Sequence, residues 1–273
     1  MKKLLVLLLA LTLFAAFKPA EKSTTRHIQL ADTTTLVNAG KVWASLYQQR
    51  AAEYKALCFQ AYNIARERID QAIKKHGKKP YAVVTDIDET LLDNSPYDAA
   101  RAVNNLDFDP KTWKEWTAKA IADTVPGAPS FFKYAASKGV KIFYITNRDE
   151  DEQEATLKNL QLYHLPNADR AHLLLRNKIS SKESRRNLVL KKYNIILLCG
   201  DNLPDFDALY DNSPTEASRA ATTEKLKKEF GNRYIIIPNL SYGDFEGALF
   251  KFNYKLTPAQ KDSIIRSLIK TSK

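Results

Sequence analysis

The sequence predicts an α/β fold, a doubly wound parallel sheet with helices on both faces and a mostly helical cap. Three observations predict it. Short apolar runs at 81–85, 140–145, 172–175, 195–199 and 234–237 read as strands. Helix-like stretches fall between them, near 128–138, 150–163, 181–192 and 216–230. Strands alternating with helices argue for βαβ units, whose crossovers cover a parallel sheet on both sides. Finally, 273 residues with 44% hydrophobic and 27% charged content suffice for an ordinary globular core and argue against global disorder.

The elements follow in chain order. Lys2 and Lys3 precede an apolar run over residues 4–17. A run of that length suits a signal peptide and is short for a bilayer span, so residues 1–20 are expected to be an export signal. No cysteine follows the run, so lipid attachment at a mature N-terminal cysteine is not expected. The expected location is periplasmic or secreted, with no stable membrane span. Residues 21–35 are polar and Thr-rich and read as a linker. Residues 36–76 carry apolar residues at spacings near three and four, which predicts helix, with a break suggested at Gly40 and an end at His76-Gly77. The rest, 36–273, reads as one catalytic-sized domain. Within it, residues 96–125 interrupt the first crossover and carry Tyr97, Phe108, Trp113 and Trp116. That insert, with 36–76, is expected to form the cap.

The net charge of +11 falls to +8 without the first twenty residues. Acids are interspersed among the lysines, as in Lys225-Leu226-Lys227-Lys228-Glu229, so a solvated basic surface is expected and a nucleic-acid partner is not. Cys58 sits in a helical stretch and Cys199 in a strand run, so two separate buried thiols are expected rather than a bridge.

Chemistry concentrates where strand candidates end. Asp86-Ile87-Asp88-Glu89-Thr90 directly follows the run 81–85. In a doubly wound sheet, ligands bind beyond the carboxyl ends of the strands. One carboxylate there can attack phosphorus and a second can protonate the leaving oxygen. Close carboxylates repel, and a hard divalent cation would offset that repulsion. By itself, an Asp-x-Asp pair is equally a turn or a helix cap.

Three further runs narrow the choice. Thr146, with Asn147 and Arg148, ends the second strand and could bind a phosphate oxygen or simply cap a helix. Lys182 opens a helix after the third strand and could hold a phosphoryl group, with Lys178 as the competing lysine. Asp201 and Asp205, in Gly200-Asp201-Asn202-Leu203-Pro204-Asp205, end the fourth strand as a metal-binding acid and its neighbour.

Acid pair, hydroxyl, lysine and acid pair, in that order after successive strands, resemble the haloacid dehalogenase (HAD) superfamily. Two runs, Asp86-Ile87-Asp88-Glu89-Thr90-Leu91-Leu92-Asp93-Asn94-Ser95-Pro96-Tyr97 and Gly200 to Phe206, are similar to the class C bacterial acid phosphatases, the lipoprotein e family. Glu53-Tyr54-Lys55-Ala56-Leu57 and Pro238-Asn239-Leu240-Ser241-Tyr242-Gly243 extend the likeness over about residues 36 to 250. The resemblance implies a HAD-like sheet and a Mg²⁺-dependent phosphomonoesterase, with nucleoside 5′-monophosphates as substrates and an acidic optimum. It implies Asp86 as nucleophile and Asp88 as acid/base. Asp86, Asp88 (through its carbonyl) and Asp201 would hold Mg²⁺, with Asp205 behind them. Thr146, Asn147 and Lys182 would bind phosphate, and Trp113 and Tyr242 would stack on a base. Trp113 and Trp116 have packing as their alternative. The rival from another class is a non-catalytic exported binding protein on the same scaffold. The small-molecule phosphate monoester is the expected partner, and a homo-oligomer is left open.

Overall fold

The computed structural model describes residues 34–75, 77–212 and 214–272. The expected signal segment, most of the expected linker and His76 lie outside the described residues. Among the described residues, no helix is long and apolar enough to cross a membrane.

The chain opens with α1 (Leu36–Arg50) and α2 (Ala52–Ile73). Thr35 caps α1 by accepting a hydrogen bond from the Asn38 backbone N–H at 3.2 Å. The break within the helical stretch comes at Ala51, whose backbone is extended (φ −78°, ψ 129°), and not at Gly40. One glycine costs a helix only about 1 kcal/mol, which packing overrides. In α2, Tyr54, Cys58, Tyr62, Ala65 and Ile69 recur every three or four residues and form its buried face.

Next come β1 (Tyr81–Thr85), β2 (Leu92–Asp93), α3 (Ser95–Val103), α4 (Pro110–Thr117) and β3 (Asp123–Thr124). α5 (Ala128–Ser137), β4 (Lys141–Asp149), α6 (Gln153–Leu162), β5 (Leu173–Arg176) and α7 (Glu183–Lys192) follow. The chain continues with β6 (Asn194–Gly200), α8 (Glu216–Leu226), β7 (Tyr234–Ile236), α9 (Asp244–Leu249) and α10 (Pro258–Leu268). Five strands form one parallel sheet in the order β5-β4-β1-β6-β7. β2 and β3 pair as a small antiparallel ribbon at the two ends of the insert.

Alternation along the strands builds two cores. Val83, Ile142, Tyr144, Leu197 and Cys199 face one side, against Phe131, Phe132 and the buried face of α2. Ala82, Val84, Phe143, Ile145 and Leu198 face the other, against Val189 and Phe206. The central strands β1, β4 and β6 are therefore buried on both faces, which is why their runs read as continuously apolar. Cys58 and Cys199 are both buried and free.

The expected cap divides differently. α2 packs on α5, β6 and β7, so it belongs to a face of the sheet. Its apolar stripe finds the sheet, and a cap offers no comparable surface. α1 instead packs on α3 and α10, and so joins the insert.

β1 is the pivot of the sheet. The register sets Thr85 beside Tyr144 of β4 and Cys199 of β6. β1 and β6 end at this level. β4 runs on with an irregular register to Asp149, so Thr146 lies within the strand and does not end it as expected. This is the edge where the strand order reverses, the place where such sheets bind ligands.

Candidate active site

Asp86 follows β1, and its backbone N–H donates to the Cys199 carbonyl at 2.9 Å. Its carboxylate meets Lys182, the residue before α7. Lys182 Nζ lies 2.7 Å from Asp86 Oδ1 and 2.5 Å from Asp205 Oδ1. The contact to Asp86 is a charge-assisted ion pair. Lys182 is 5% exposed, whereas Lys178 is exposed, so the structure places Lys182 at the site. Burial alone would lower the pKa of this ammonium group, but the charges of Asp205 and Asp86 outweigh it and raise the pKa.

Asp201 follows β6. It accepts hydrogen bonds from Thr90 Oγ1 at 3.0 Å and Asn239 Nδ2 at 2.8 Å. Burial, then the charge of Asp205, pushes its pKa up to about 7. Asp205 Oδ2 accepts from the Asn202 backbone N–H at 3.0 Å, which closes the turn after β6. That turn depends on Gly200. A Cβ there would stand 2.4 Å from Asp205 Cβ and Oδ2, inside any real contact.

Asp86, Asp201 and Asp205 bring carboxylate oxygens within 4.8 Å of one another. One ammonium cannot neutralise three carboxylates. Burial, then the charges of Asp205, Asp201 and Asp88, raise the Asp86 pKa, although Lys182 opposes them. An all-oxygen donor set with surplus negative charge fits a hard divalent cation.

Asp88 sits across from this cluster. Arg148, 3% exposed, donates from Nη2 to Asp88 Oδ1 at 2.7 Å and from Nε to both oxygens at 3.2 Å. Asn94 Nδ2 adds a bond to Oδ1 at 2.9 Å. Thr146 is fully buried. Its hydroxyl accepts from the Arg148 backbone N–H at 3.1 Å and reaches Asp88 Oδ2 at only 3.5 Å. Asn147, its neighbour, faces the cavity and accepts from Arg185 Nη2 at 2.7 Å.

Above these groups lies a cavity of about 760 Å³. Asp86, Asp88, Asn147, Lys182 and Asp201 line its floor, while Thr146 is not among the lining residues. Trp113 and Tyr242 both line the wall. Trp113 meets Tyr97 edge to face at 5.3 Å, and the Arg148 guanidinium lies 5.8 Å from its ring centre. The Tyr242 hydroxyl donates to Glu89 Oε2, which anchors that ring. Trp116 does not line the cavity. Its indole N–H donates to Asn94 Oδ1 at 2.8 Å.

A family profile described as HAD superfamily, subfamily IIIB (acid phosphatase), matches residues 13–245. The chain belongs to this family. Two crystal structures of the class C acid phosphatase from Bacillus anthracis, one with tungstate bound, share 40% identity and a TM-score of 0.82 with it. The match covers 87% of this chain and 99% of theirs. A stem 31 kDa glycoprotein from Glycine max is 28% identical over 125 residues, 44% of this chain and 49% of its own length. Acid phosphatase 1 from Solanum lycopersicum is 26% identical over 132 residues, 45% of this chain and 50% of its own. The chain thus spans about half the length of the curated relatives it matches.

Several residues that build this site carried no role in the sequence. Arg185 donates to the Asn147 side chain and to the Thr146 and Ser180 carbonyls, and so ties the irregular part of β4 to the loop before α7. Arg186 donates to the Pro204 and Asp205 carbonyls at 2.9 Å each and holds the β6 turn. Both flank Lys182 in Lys182-Glu183-Ser184-Arg185-Arg186, where a basic run on a helix looks like surface. Arg148 and Asn94 lay inside recognised runs, but nothing in spacing shows that they converge on Asp88.

Proposed function

We propose that this chain is an exported, Mg²⁺-dependent phosphomonoesterase acting on small phosphate monoesters, with nucleoside 5′-monophosphates as the substrate class. One observation carries the reading: a half-buried carboxylate, Asp86, is paired to a buried lysine, Lys182, at the floor of a cavity, with a second acid, Asp88, held nearby. Asp86 attacks phosphorus, and the bond from phosphorus to the ester oxygen breaks. Asp88 gives its proton to that oxygen, so an alcohol leaves. Water then attacks the aspartyl-phosphate, Asp88 takes back a proton, and phosphate departs from Asp86. Lys182 and the exposed Asn147 amide, both lining the cavity, would receive phosphoryl oxygens. Asp86, Asp201 and the Asp88 carbonyl would hold the cation, which supplies neutralising charge when bound.

The aromatic wall supports the substrate class. Trp113, Tyr97 and Phe108 form a cluster of flat faces beside the floor, and stacking accepts any base. The non-catalytic alternative is not favoured, because the side chains proposed for both steps stand together at one cavity.

The test is a panel of phosphate monoesters assayed with chelator and with added Mg²⁺, on the parent and on Asp86→Asn. Turnover should require Mg²⁺, should favour nucleotides, and should vanish in the variant while the fold is kept. Retained activity in Asp86→Asn would end the nucleophile assignment. Fractionation of the expressing cell tests export, and a wholly cytoplasmic product would reject it.

A further inference from the structure

Asn94 and Trp116 have no part in the chemistry above, yet they are joined to it. Asn94 is fully buried, Trp116 packs half-buried against the core, and neither lines the cavity. The Asn94 backbone N–H donates to Glu89 Oε1 at 2.7 Å. Its side-chain nitrogen reaches Asp88 Oδ1 at 2.9 Å and Glu89 Oε2 at 3.3 Å. Its side-chain oxygen accepts from Trp116 Nε1 at 2.8 Å.

Chemistry decides which way this amide points. An indole N–H can only donate, and a carboxyl oxygen that carries no proton, as Asp88 Oδ1 in this reading, can only accept. Turning the amide over would set two donors against each other at Trp116 and two acceptors against each other at Asp88. Trp116 therefore fixes the amide, and the amide fixes one oxygen of Asp88. The insert helix α4 reaches Asp88 by this route without entering the cavity.

The two carboxylate oxygens of Asp88 are left unequal. Oδ1 receives Asn94 and the 2.7 Å bond from Arg148, while Oδ2 has only contacts of 3.2 and 3.5 Å. Oδ2 is the freer oxygen and the one able to carry a transferred proton.

We propose that Trp116 and Asn94 are positioning residues for Asp88: the indole N–H locks the Asn94 amide, which pins Oδ1 so that Oδ2 faces the leaving oxygen. The inference rests on the reading of Asp88 as the acid/base. In the first step, the proton on Oδ2 moves to the departing alkoxide, which becomes an alcohol, and Asp88 is left as a carboxylate. Arg148 also holds Asp88, but it lines the cavity and can touch substrate. Asn94 and Trp116 cannot. An effect at either that depends on the leaving group acts through Asp88, because the other route, from Asn94 through Glu89 to Tyr242, does not touch the leaving oxygen. The two tryptophans of α4 thus divide their work, Trp113 toward the substrate and Trp116 toward the acid.

The test compares two esters with the same phosphate, p-nitrophenyl phosphate and a simple alkyl phosphate, in excess Mg²⁺. A nitrophenolate leaves without protonation, whereas an alkoxide needs a proton. kcat/KM reports the first chemical step for each. Trp116→Phe and Asn94→Ser should lower kcat/KM for the alkyl ester about ten-fold more than for the aryl ester, the scale of one hydrogen bond to a charged group. In an Asp88→Asn background, neither change should have a further selective effect. Equal losses on both esters would overturn the proposal, because a general packing defect does not sense the leaving group. Trp116→Phe keeps a ring against the core and carries the test if Asn94→Ser does not fold. Asp88→Asn separates the two levels. If it hits both esters alike, the acid/base reading falls, and this inference with it. If it discriminates and the other two variants do not, this inference alone is overturned.

Discussion

Replacing Lys182 with methionine removes the single ammonium group between Asp86 and Asp205 and keeps the length of the side chain. The structure bounds the consequence. Carboxylate oxygens of Asp86, Asp201 and Asp205 stay within 4.8 Å of one another. At an effective dielectric of about 20, each such pair of charges repels by roughly 3.5 kcal/mol. Leaving a buried charge unpaired typically costs about 3–5 kcal/mol. Protonation caps that cost. A carboxyl group with an ordinary pKa near 4 takes up a proton for about 1.4 kcal/mol per pH unit, so roughly 4 kcal/mol at pH 7 and about 1.5 kcal/mol at pH 5. Lys182→Met should therefore be destabilised far more at neutral than at acid pH. With about 2–4 °C of Tm per kcal/mol for a chain of this size, the drop is roughly 8–16 °C at pH 7 and about 3–6 °C at pH 5. The assay is thermal unfolding in chelator at the two pH values, against the parent. Added Mg²⁺ should recover part of the loss, because it supplies the missing positive charge. A small loss, equal at both pH values, would refute the argument that Lys182 balances this acid cluster.

The remaining predictions concern the same floor and wall. Gly200→Ala should cost about 1–3 kcal/mol and most of the activity, because the added Cβ displaces Asp205; urea unfolding and turnover measure both. In chelator, the parent should lose stability as pH rises from about 4 to about 7. Asp201 has a folded pKa raised to about 7, so the folded state binds the extra proton in that window and loses the advantage as it titrates. Denaturant midpoints across that range test this, and saturating Mg²⁺ should flatten the profile. Trp113→Ala should raise KM for nucleotides more than for p-nitrophenyl phosphate; an equal effect on both would assign the ring to packing.

Much of this protein was legible from the order of its residues. Strands buried on both faces are continuous apolar runs, and an acid or hydroxyl placed just after each needs no tertiary information to be noticed. Asp86, Asp88 and Asp201 were legible for that reason, and the parallel sheet brings them to one edge. Local pattern also located the insert and both tryptophans. It could not tell their environments apart, because Trp113 and Trp116 share one short helix and one composition.

Tertiary structure decided what depends on approach between segments distant in sequence. It chose Lys182 over Lys178, since only one of the two is buried against Asp86. It moved α2 from the cap to the sheet, because an amphipathic stripe shows that a face is buried but not against what. It joined Arg148 and Asn94 to Asp88 across sequence separations of 60 and 6 residues, and it required glycine at 200 to admit Asp205. Hydrogen bonds and close contacts of this kind form between particular atoms in space. Periodicity and motif spacing record the direction in which a side chain leaves its own element, while the partner that meets it is set by how the elements pack.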